Sequence, residues 1–223
     1  MSASVTPLRA SARRDEDDAT RHAHRAFLDA YYGATHAIYD VTRRYYLFGR
    51  DRALDLLARE RWRTLVDVGC GTGRNLEKLH RARPGRRYAG IEPSAPMRDR
   101  AVERLPFARI IDAFAEDAPY LALAGGPPDR ILFSYSLSMV ADPDEALAHA
   151  RVSLSERGKL VVVDFGDLAG VPRPLRRAFV RWLDAFHVRP VPRALFDRHR
   201  ATLHAGPFGY YRIATMGPAH APR

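Results

Sequence analysis

The sequence predicts an α/β fold with a mostly parallel sheet and helices on both of its faces. Two observations support this prediction. The chain has 223 residues, of which 46% are hydrophobic and 28% charged, as expected of one domain with a buried core. From residue 61 onwards, short β-branched segments alternate with longer segments of helical periodicity, which is the pattern of a parallel sheet covered by helices.

The predicted elements follow one another at short intervals. A strand at residues 64–68 runs into a glycine-rich turn, and the helix after it is stopped by Pro84 and Gly85. A later helix ends near Gly158. The full order is strand 64–68, helix 74–83, strand 88–91, helix 96–104, strand 108–111, strand 131–133, helix 144–156, strand 160–164 and helix 174–186.

The N-terminal region differs in composition from the rest of the chain. Residues 1–24 are polar and lack periodicity, which predicts a disordered tail. Residues 25–60 are rich in aromatic side chains and are predicted to form a helical cap. The α/β domain then occupies residues 61–217.

Composition and charge limit the function classes. The chain has 36 basic and 26 acidic residues, and the resulting net charge of +10 favours an anionic partner, either nucleic acid or a membrane surface. The basic residues are spread along the chain and no nucleic-acid-binding module is recognisable, so no nucleic-acid partner is expected.

The single cysteine, Cys70, excludes an internal disulfide and a cysteine-rich zinc site, and no metal is predicted. No apolar run approaches the roughly 18 residues of a membrane-spanning helix, and the first residues have no signal-peptide pattern, which together predict a cytoplasmic location.

The most informative segment is the turn after the first predicted strand. Asp67 precedes three glycines at alternate positions, Gly69, Gly71 and Gly73, and a helix follows. Glycines allow a sharp turn and a close approach of the backbone to a ligand. Glu92 lies nineteen residues after Gly73, at the end of the second strand, where a carboxylate can accept both hydroxyls of a ribose. The spacing is G-x-G-x-G, which differs from the G-x-G-x-x-G of dinucleotide-binding proteins.

This segment resembles motif I of the class I S-adenosylmethionine-dependent methyltransferases. The resemblance implies a Rossmann-like, seven-stranded sheet and S-adenosylmethionine as the cofactor. It also implies that Gly69, Gly71 and Gly73 border the methionine portion of the cofactor, that Glu92 holds the ribose, and that Asp67 orients the amino group.

The resemblance also implies cofactor contacts after the third and fourth strands. The family usually has an acidic residue followed by alanine after the third strand, and here Phe114 stands where the acid is expected, with Ala115 after it. Whether Asp112 or Glu116 substitutes for that acid is left open. Phe133 and Ser134 are expected beside the methionine arm.

A narrower resemblance extends over residues 26–215. Residues 37–52, 71–76, 133–139 and 163–167 are similar to segments of bacterial diacylglycerylhomoserine N-methyltransferases, which place three methyl groups on the homoserine nitrogen of a betaine-lipid precursor. Asp67 and Glu92 stand where that family more often has Glu and Asp, respectively. Residues 187–209 look shorter than the corresponding segment of that family, which leaves the position of the sixth strand undetermined.

Methyl transfer to an amine requires a neutral lone pair in line with the leaving sulfur. Alignment in a desolvated pocket supplies much of the rate, so no nucleophilic side chain is needed. An amino group is mostly protonated at neutral pH, and the site must let its proton leave through water or a side chain. The predicted catalytic residues for this step are Tyr39, Tyr135 and Asp164.

The N-terminal cap is predicted to contact the acceptor. On a helix, Tyr32, His36, Tyr39 and Arg43 share one face, because they lie 4, 3 and 4 residues apart. Tyrosine rings there offer cation–π contacts to a methylammonium group, and an arginine binds a carboxylate. Tyr32, Arg43 and Tyr46 are therefore predicted substrate residues. The alternative is that these aromatic side chains only hold the cap on the sheet.

The helix predicted at residues 174–186 suggests how such an enzyme meets a lipid. Leu175, Phe179, Trp182 and Phe186 form one apolar stripe, with Arg176, Arg177 and Arg181 outside it. This pattern is typical of a helix in an anionic membrane interface, at the inner face of the membrane for a cytoplasmic protein. The alternative is an ordinary amphipathic helix that covers the sheet.

Other acceptors and another chemistry remain open. The acceptor could be a soluble amine or another aminolipid, and the same cofactor also supports transfer of a 3-amino-3-carboxypropyl group. Methyl transfer leaves S-adenosylhomocysteine, whereas carboxypropyl transfer leaves methylthioadenosine. A catalytically inactive membrane or nucleic-acid binder is a further reading, which the intact glycine loop disfavours.

The predicted acceptor face can be tested by substitution. We expect Tyr39→Ala or Arg43→Ala to reduce lipid turnover more than affinity for S-adenosylmethionine, because these side chains would contact the head group alone. Turnover, calorimetric affinity and thermal stability are measured together. Equal losses of stability and turnover would contradict the prediction and support the packing alternative.

Overall fold

The structure is a computed structural model that describes residues 47–185, 188 and 190–219. The predicted tail at residues 1–24 and most of the predicted cap at residues 25–60 lie outside the described residues. The same holds for Tyr32, Tyr39, Arg43 and Tyr46, and for Phe186 in the later helix. No helix within the described ranges is long and apolar enough to cross a membrane.

Seven strands form one sheet in the order β3-β2-β1-β4-β5-β7-β6. The strand β7 runs antiparallel to both of its neighbours, β5 and β6, and the other six strands run in one direction. The predicted α/β fold with a mostly parallel seven-stranded sheet is therefore confirmed. The strands are β1 Thr64–Val68, β2 Arg87–Ile91, β3 Ala108–Ile111, β4 Arg130–Ser134, β5 Lys159–Phe165, β6 Thr202–Ala205 and β7 Tyr211–Met216. The helices are α1 Arg50–Arg59, α2 Arg74–Ala82, α3 Ala95–Arg104, α4 Tyr120–Ala124, α5 Pro143–Ser153, α6 Arg173–Ala185 and α7 Arg193–Arg198.

The helices cover both faces of the sheet. Side chains alternate along β1, so that Leu65 faces one hydrophobic cluster, while Val66 and Val68 face the other. The cluster around Leu65 includes residues of α1, α2, α3 and α6, and the cluster around Val66 includes residues of α4, α5 and α7. Because both faces are buried, the central strands are mainly apolar, with Asp67 in β1 and Asp164 in β5 as buried acidic exceptions.

The structure adds elements that the local sequence pattern did not predict. The helix α4 has only five residues, which is too short for a periodic pattern. Residues 187–209, in which the sequence left the sixth strand undetermined, contain α7 and β6, and β7 follows them. The strand β7 pairs antiparallel with β5, with Ala214 opposite Val162, and the two chain segments are remote in sequence. Its burial between β5 and β6 therefore comes from tertiary pairing.

Candidate active site

A cavity opens where the carboxyl ends of β1, β2 and β4 meet. The chain leaves β1 towards β2 on one side, while β4 lies on the other side, and ligands bind at such a switch point in open α/β sheets. With the solvent at its mouth, the cavity encloses about 1030 Å³. It is lined by the glycine loop, the ends of β2 and β4, residues 113–116 and 139–141, and Leu47, Arg50 and Met97.

The three glycines of the loop have different surroundings. All three have positive φ, 67° at Gly69, 56° at Gly71 and 82° at Gly73. A Cβ atom on Gly69 would lie 2.5 Å from Cβ of Ser136, and one on Gly73 would lie 2.3 Å from Cδ1 of Leu105. A Cβ atom on Gly71 would meet no atom within 4 Å, and Gly71 lines the cavity. Gly71 thus keeps ligand space open, whereas Gly73 lies against Leu105 and is outside the cavity wall.

Glu92 is held in the cavity wall by backbone amides. Its Oε2 accepts a hydrogen bond from the Gly71 amide at 2.8 Å, and its Oε1 accepts one from the Ser94 amide at 3.0 Å. Only 5% of Glu92 is exposed. Each carboxylate oxygen has two lone pairs, so both can also accept a ligand hydroxyl. Glu92 therefore suits the predicted contact with a ribose.

Asp67 lies below the glycine loop and does not line the cavity. It is fully buried, its Oδ2 accepts a hydrogen bond from Asn75 at 3.1 Å, and its Oδ1 has no hydrogen-bond partner among the described residues. Burial raises the pKa of the Asp67 carboxyl to about 7. The hydrogen bond from Asn75 opposes this pKa shift, the charge of Glu92 adds to it, and the guanidinium of Arg50 opposes it.

The end of β4 contributes two residues to the cavity. Ser134 lines the wall, and its buried hydroxyl has no hydrogen-bond partner within the described part of the chain. Tyr135 lines the wall next to it with a φ of 56°, a region that bulky residues rarely adopt. Phe133, by contrast, is fully buried in the hydrophobic core and lies outside the wall.

Tyr135 connects the cavity to the segment that precedes α1. Its phenol donates a hydrogen bond to the carbonyl of Phe48, and its ring meets that of Phe165 edge to face, with centroids 4.8 Å apart. Burial, aided by the charge of Asp164, raises the pKa of the phenol far above its usual range. Tyr135 thus stays protonated near neutral pH and positions neighbouring groups rather than taking up a proton.

Asp164, the other described residue with a predicted catalytic role, lies behind the cavity wall. Only 1% of it is exposed. Its carboxylate accepts hydrogen bonds from the amides of Phe165 at 2.8 Å and Ser138 at 3.1 Å. These contacts tie the end of β5 to the turn at Leu137–Met139. Its predicted part in proton transfer stays a prediction.

The structure of the segment after β3 distinguishes between Asp112 and Glu116, the two acidic residues that the sequence left open for contact with adenine. Ala113, Phe114, Ala115 and Glu116 line the cavity. Asp112 is outside the wall and pairs with Arg98 at 3.5 Å. Of the two acids, Glu116 is therefore the one that a ligand in the cavity can contact.

Several cavity residues were not identified from the sequence, and Arg50 and Asn75 are two polar ones among them. Arg50, at the start of α1, lines the cavity with a side chain that is 15% exposed, and Asn75, in the first turn of α2, lines it while donating to Asp67. A guanidinium group binds carboxylates well. The signal for Asn75 was its place directly after the glycines. Arg50 lies in a segment quoted for the resemblance, but no local pattern there identifies its ligand.

The cavity residues fit S-adenosylmethionine. The open space at Gly71 admits a ligand against the backbone, and Glu92 offers acceptors for the ribose. The unpartnered hydroxyl of Ser134 offers an acceptor for the amino end, the carboxyl of Asp67 behind the wall offers a negative charge near it, and Arg50 offers a cation for the carboxylate. The predicted cofactor-binding residues Gly69 and Ala115 also line the cavity.

Substitution of Gly71 tests the open space in the loop. We expect Gly71→Val to abolish S-adenosylmethionine binding, because its side chain would enter the cavity. Gly85→Val is the matched control, since Gly85 also has a positive φ and open space but lies in the turn before β2. We expect Glu92→Ala to weaken binding at least tenfold, from hydrogen bonds of about 1.5–3 kcal/mol each. Unchanged calorimetric affinity in both site variants would contradict the assignment.

The pKa of Asp67 predicts how cofactor affinity depends on pH. A bound ammonium group favours the ionised carboxylate, which is lost as the pH falls through the folded pKa of about 7. The α-amino group stays charged below about pH 7.7, so affinity should rise several-fold from about pH 5.5 to about pH 7. Asp67→Asn should show a flat titration over this range. An equal slope in both proteins would exclude Asp67 as its source.

The chain resembles known methyltransferases in sequence. A family model for a methyltransferase domain matches residues 39–201. The chain is 28% identical to a demethylmenaquinone methyltransferase of Thermus thermophilus over 183 residues, which cover 78% of this chain and 76% of that protein. It is 34% identical to an uncharacterised methyltransferase of Geobacillus thermodenitrificans over 128 residues, covering 56% of this chain and 58% of the relative. The match thus spans less than two thirds of the Geobacillus protein.

Solved structures share the fold. An S-adenosylmethionine-dependent methyltransferase of Thermotoga maritima superposes with a TM-score of 0.63 at 19% identity, over 84% of this chain and 98% of that one. A plantazolicin methyltransferase solved in complex with SAH superposes with a TM-score of 0.60 at 15% identity, over 84% of this chain and 78% of that one. Because the family model matches most of the chain, the chain belongs to the methyltransferase-domain family, and its cavity residues fit the cofactor S-adenosylmethionine.

Proposed function

We propose that the protein is an N-methyltransferase that methylates the homoserine nitrogen of diacylglycerylhomoserine to form a betaine lipid. One observation carries this proposal: segments that resemble the bacterial enzymes of this reaction, although remote in sequence, meet on one side of the cavity. Similarity in the glycine loop alone would not support a particular acceptor, because methyltransferases with many different acceptors share that loop.

The contacts between these segments are specific. Tyr135, in the segment 133–139, donates its phenol hydrogen to the carbonyl of Phe48, in the segment 37–52. Asp164, in the segment 163–167, accepts the amide hydrogen of Ser138 at 3.1 Å. These contacts bring parts of three of the resembling segments together beside the cavity, which supports a related acceptor.

The charges of the cavity suit an amino-acid head group. Homoserine presents an amine beside a carboxylate, and so does the methionine end of the cofactor. Arg50 offers one cation at the cavity wall, and Arg43, which lies outside the described residues, is proposed for the acceptor carboxylate. Two arginines are proposed because two carboxylates must be held apart.

The protein contributes alignment more than acid–base chemistry. When bound, the cofactor supplies a methyl group on a sulfonium sulfur. The wall at Tyr135 and Met139 excludes water and holds the acceptor nitrogen in line. Because Tyr135 stays protonated, the amine proton leaves to water at the cavity mouth.

The proposal is tested with the lipid itself. The full chain is incubated with diacylglycerylhomoserine in detergent micelles and methyl-labelled S-adenosylmethionine, and the lipids are examined by mass spectrometry. We expect lipids with one, two and three added methyl groups, and one S-adenosylhomocysteine for each methyl. Gly71→Val is the inactive control.

Other outcomes would replace this function. Methylthioadenosine as the nucleoside product would indicate carboxypropyl transfer. Methylation of a soluble amine or of another aminolipid, with diacylglycerylhomoserine unchanged, would keep the methyltransferase and reject the proposed acceptor. Both alternatives are read in the same assay by supplying each acceptor in turn.

A further inference from the structure

The helix α6 has two apolar surfaces, one packed against the sheet and one exposed to solvent. Phe179 and Leu183 face the sheet and belong to the hydrophobic cluster beneath α6. Leu175 and Trp182 are 63% and 39% exposed and share one flank at a spacing of seven residues. The apolar stripe predicted from the sequence is thus divided, because Phe179 turns inward to contact Phe165 and Tyr210.

A row of aromatic rings joins α6 to the cavity mouth. Phe48, Tyr210, Phe179 and Trp182 follow one another with centroid separations of 5.3, 5.3 and 5.4 Å. Phe48 lies between Leu47 and Arg50, which line the cavity, and it is 57% exposed. The row therefore has exposed rings at both ends, one at the mouth and one on α6.

The loop before β7 adds another exposed ring. Phe208 is 72% exposed and has a φ of 55°, which costs free energy for a bulky residue. The loop is held in place by hydrogen bonds from the amides of Leu168 and Gly170 to the carbonyls of Gly209 and Phe208. Such strain persists only where surrounding contacts hold it, and here it keeps a large ring in solvent.

Charge accompanies these apolar residues. The helix α6 has four arginines against one aspartate. Arg173, Arg177 and Arg181 recur at every fourth residue, are exposed, and lie on the outer side of α6. Leu175 and Trp182 thus lie at one edge of the exposed side of α6 and the arginines lie towards its middle, so apolar side chains can enter a bilayer surface while the long arginine side chains reach its anionic head groups.

We infer that this surface, formed by Phe48, Leu175, Trp182, Phe208 and the arginine row, docks the protein on an anionic phospholipid bilayer with the cavity mouth beside the membrane. The inference rests on the proposed function for its purpose, because a lipid acceptor has to reach the cavity from a bilayer. The surface itself is defined by the exposure of its side chains, their charge and the ring contacts.

Vesicle binding without any substrate tests the docking. The full chain is sedimented with vesicles of phosphatidylcholine alone and of equal parts phosphatidylcholine and phosphatidylglycerol, at about 0.15 M salt. We expect binding to the mixed vesicles, and a loss of about tenfold or more in the triple variant Arg173→Glu, Arg177→Glu and Arg181→Glu. The matched control carries Arg59→Glu, Arg61→Glu and Arg157→Glu, at exposed positions outside this surface. We expect it to bind vesicles as the parent does.

Trp182 gives a second readout that does not depend on charge. The chain has two tryptophans, and Trp62 is only 4% exposed. Brominated lipids should therefore quench Trp182 and leave Trp62 unquenched, and Trp182→Ala should remove the quenching and weaken binding.

Three results would overturn the inference. The first is equal binding by the parent and the triple variant, and the second is equal loss in the triple variant and the control. The third is a dimer in solution that dissociates in Trp182→Ala without vesicle binding by the parent, which would assign this surface to a second copy of the chain. Because no acceptor is present, failure of the proposed reaction does not affect these results, and vesicle binding does not prove the reaction.

Discussion

The close contact between the glycine loop and the turn after β4 determines the geometry of the site. β1 and β4 run side by side with Val68 opposite Phe133, so their carboxyl ends emerge together. The hydroxyl of Ser136 donates to the carbonyl of Val68 at 2.6 Å, and Ser136 occupies the space that a side chain on residue 69 would need. This contact leaves Gly71 facing open space and places Ser134 and Tyr135 in the opposite part of the wall.

Two carboxylates beside this contact are prepared in different ways. Glu92 receives two backbone amides, which fix its position and satisfy part of its hydrogen-bonding capacity. Asp67 receives one side-chain amide and is fully buried, so its ionised form is costly until a cation is near. The first arrangement suits the hydroxyls of a ribose, and the second places behind the wall a carboxyl whose ionised form is favoured by a cation in the cavity. Burial and partner number, rather than residue type, account for the difference.

The acceptor side depends on contacts between elements that are distant in sequence. Tyr135 links β4 to the segment before α1, and Phe165 links β5 to the same ring. Tyr210, in the loop before β7, continues these contacts to Phe48 and to α6. The rings thus form one continuous set of contacts from α6 and residues 47–50 to the cavity wall. This gives a physical connection between the outer surface and the site.

The sequence by itself determined the central β–α units, the glycine loop and Glu92, because local periodicity and glycine spacing act within a few neighbouring residues. It also indicated the seven strands, but through resemblance, since β6 and β7 have no strong pattern of their own. Tertiary structure decided that Phe133 and Asp164 lie behind the wall, that Arg50 and Asn75 line it, and that Phe179 turns inward from α6. Those outcomes depend on which elements pair across the sheet and which side chains fill the space between them, and no local pattern contains that information.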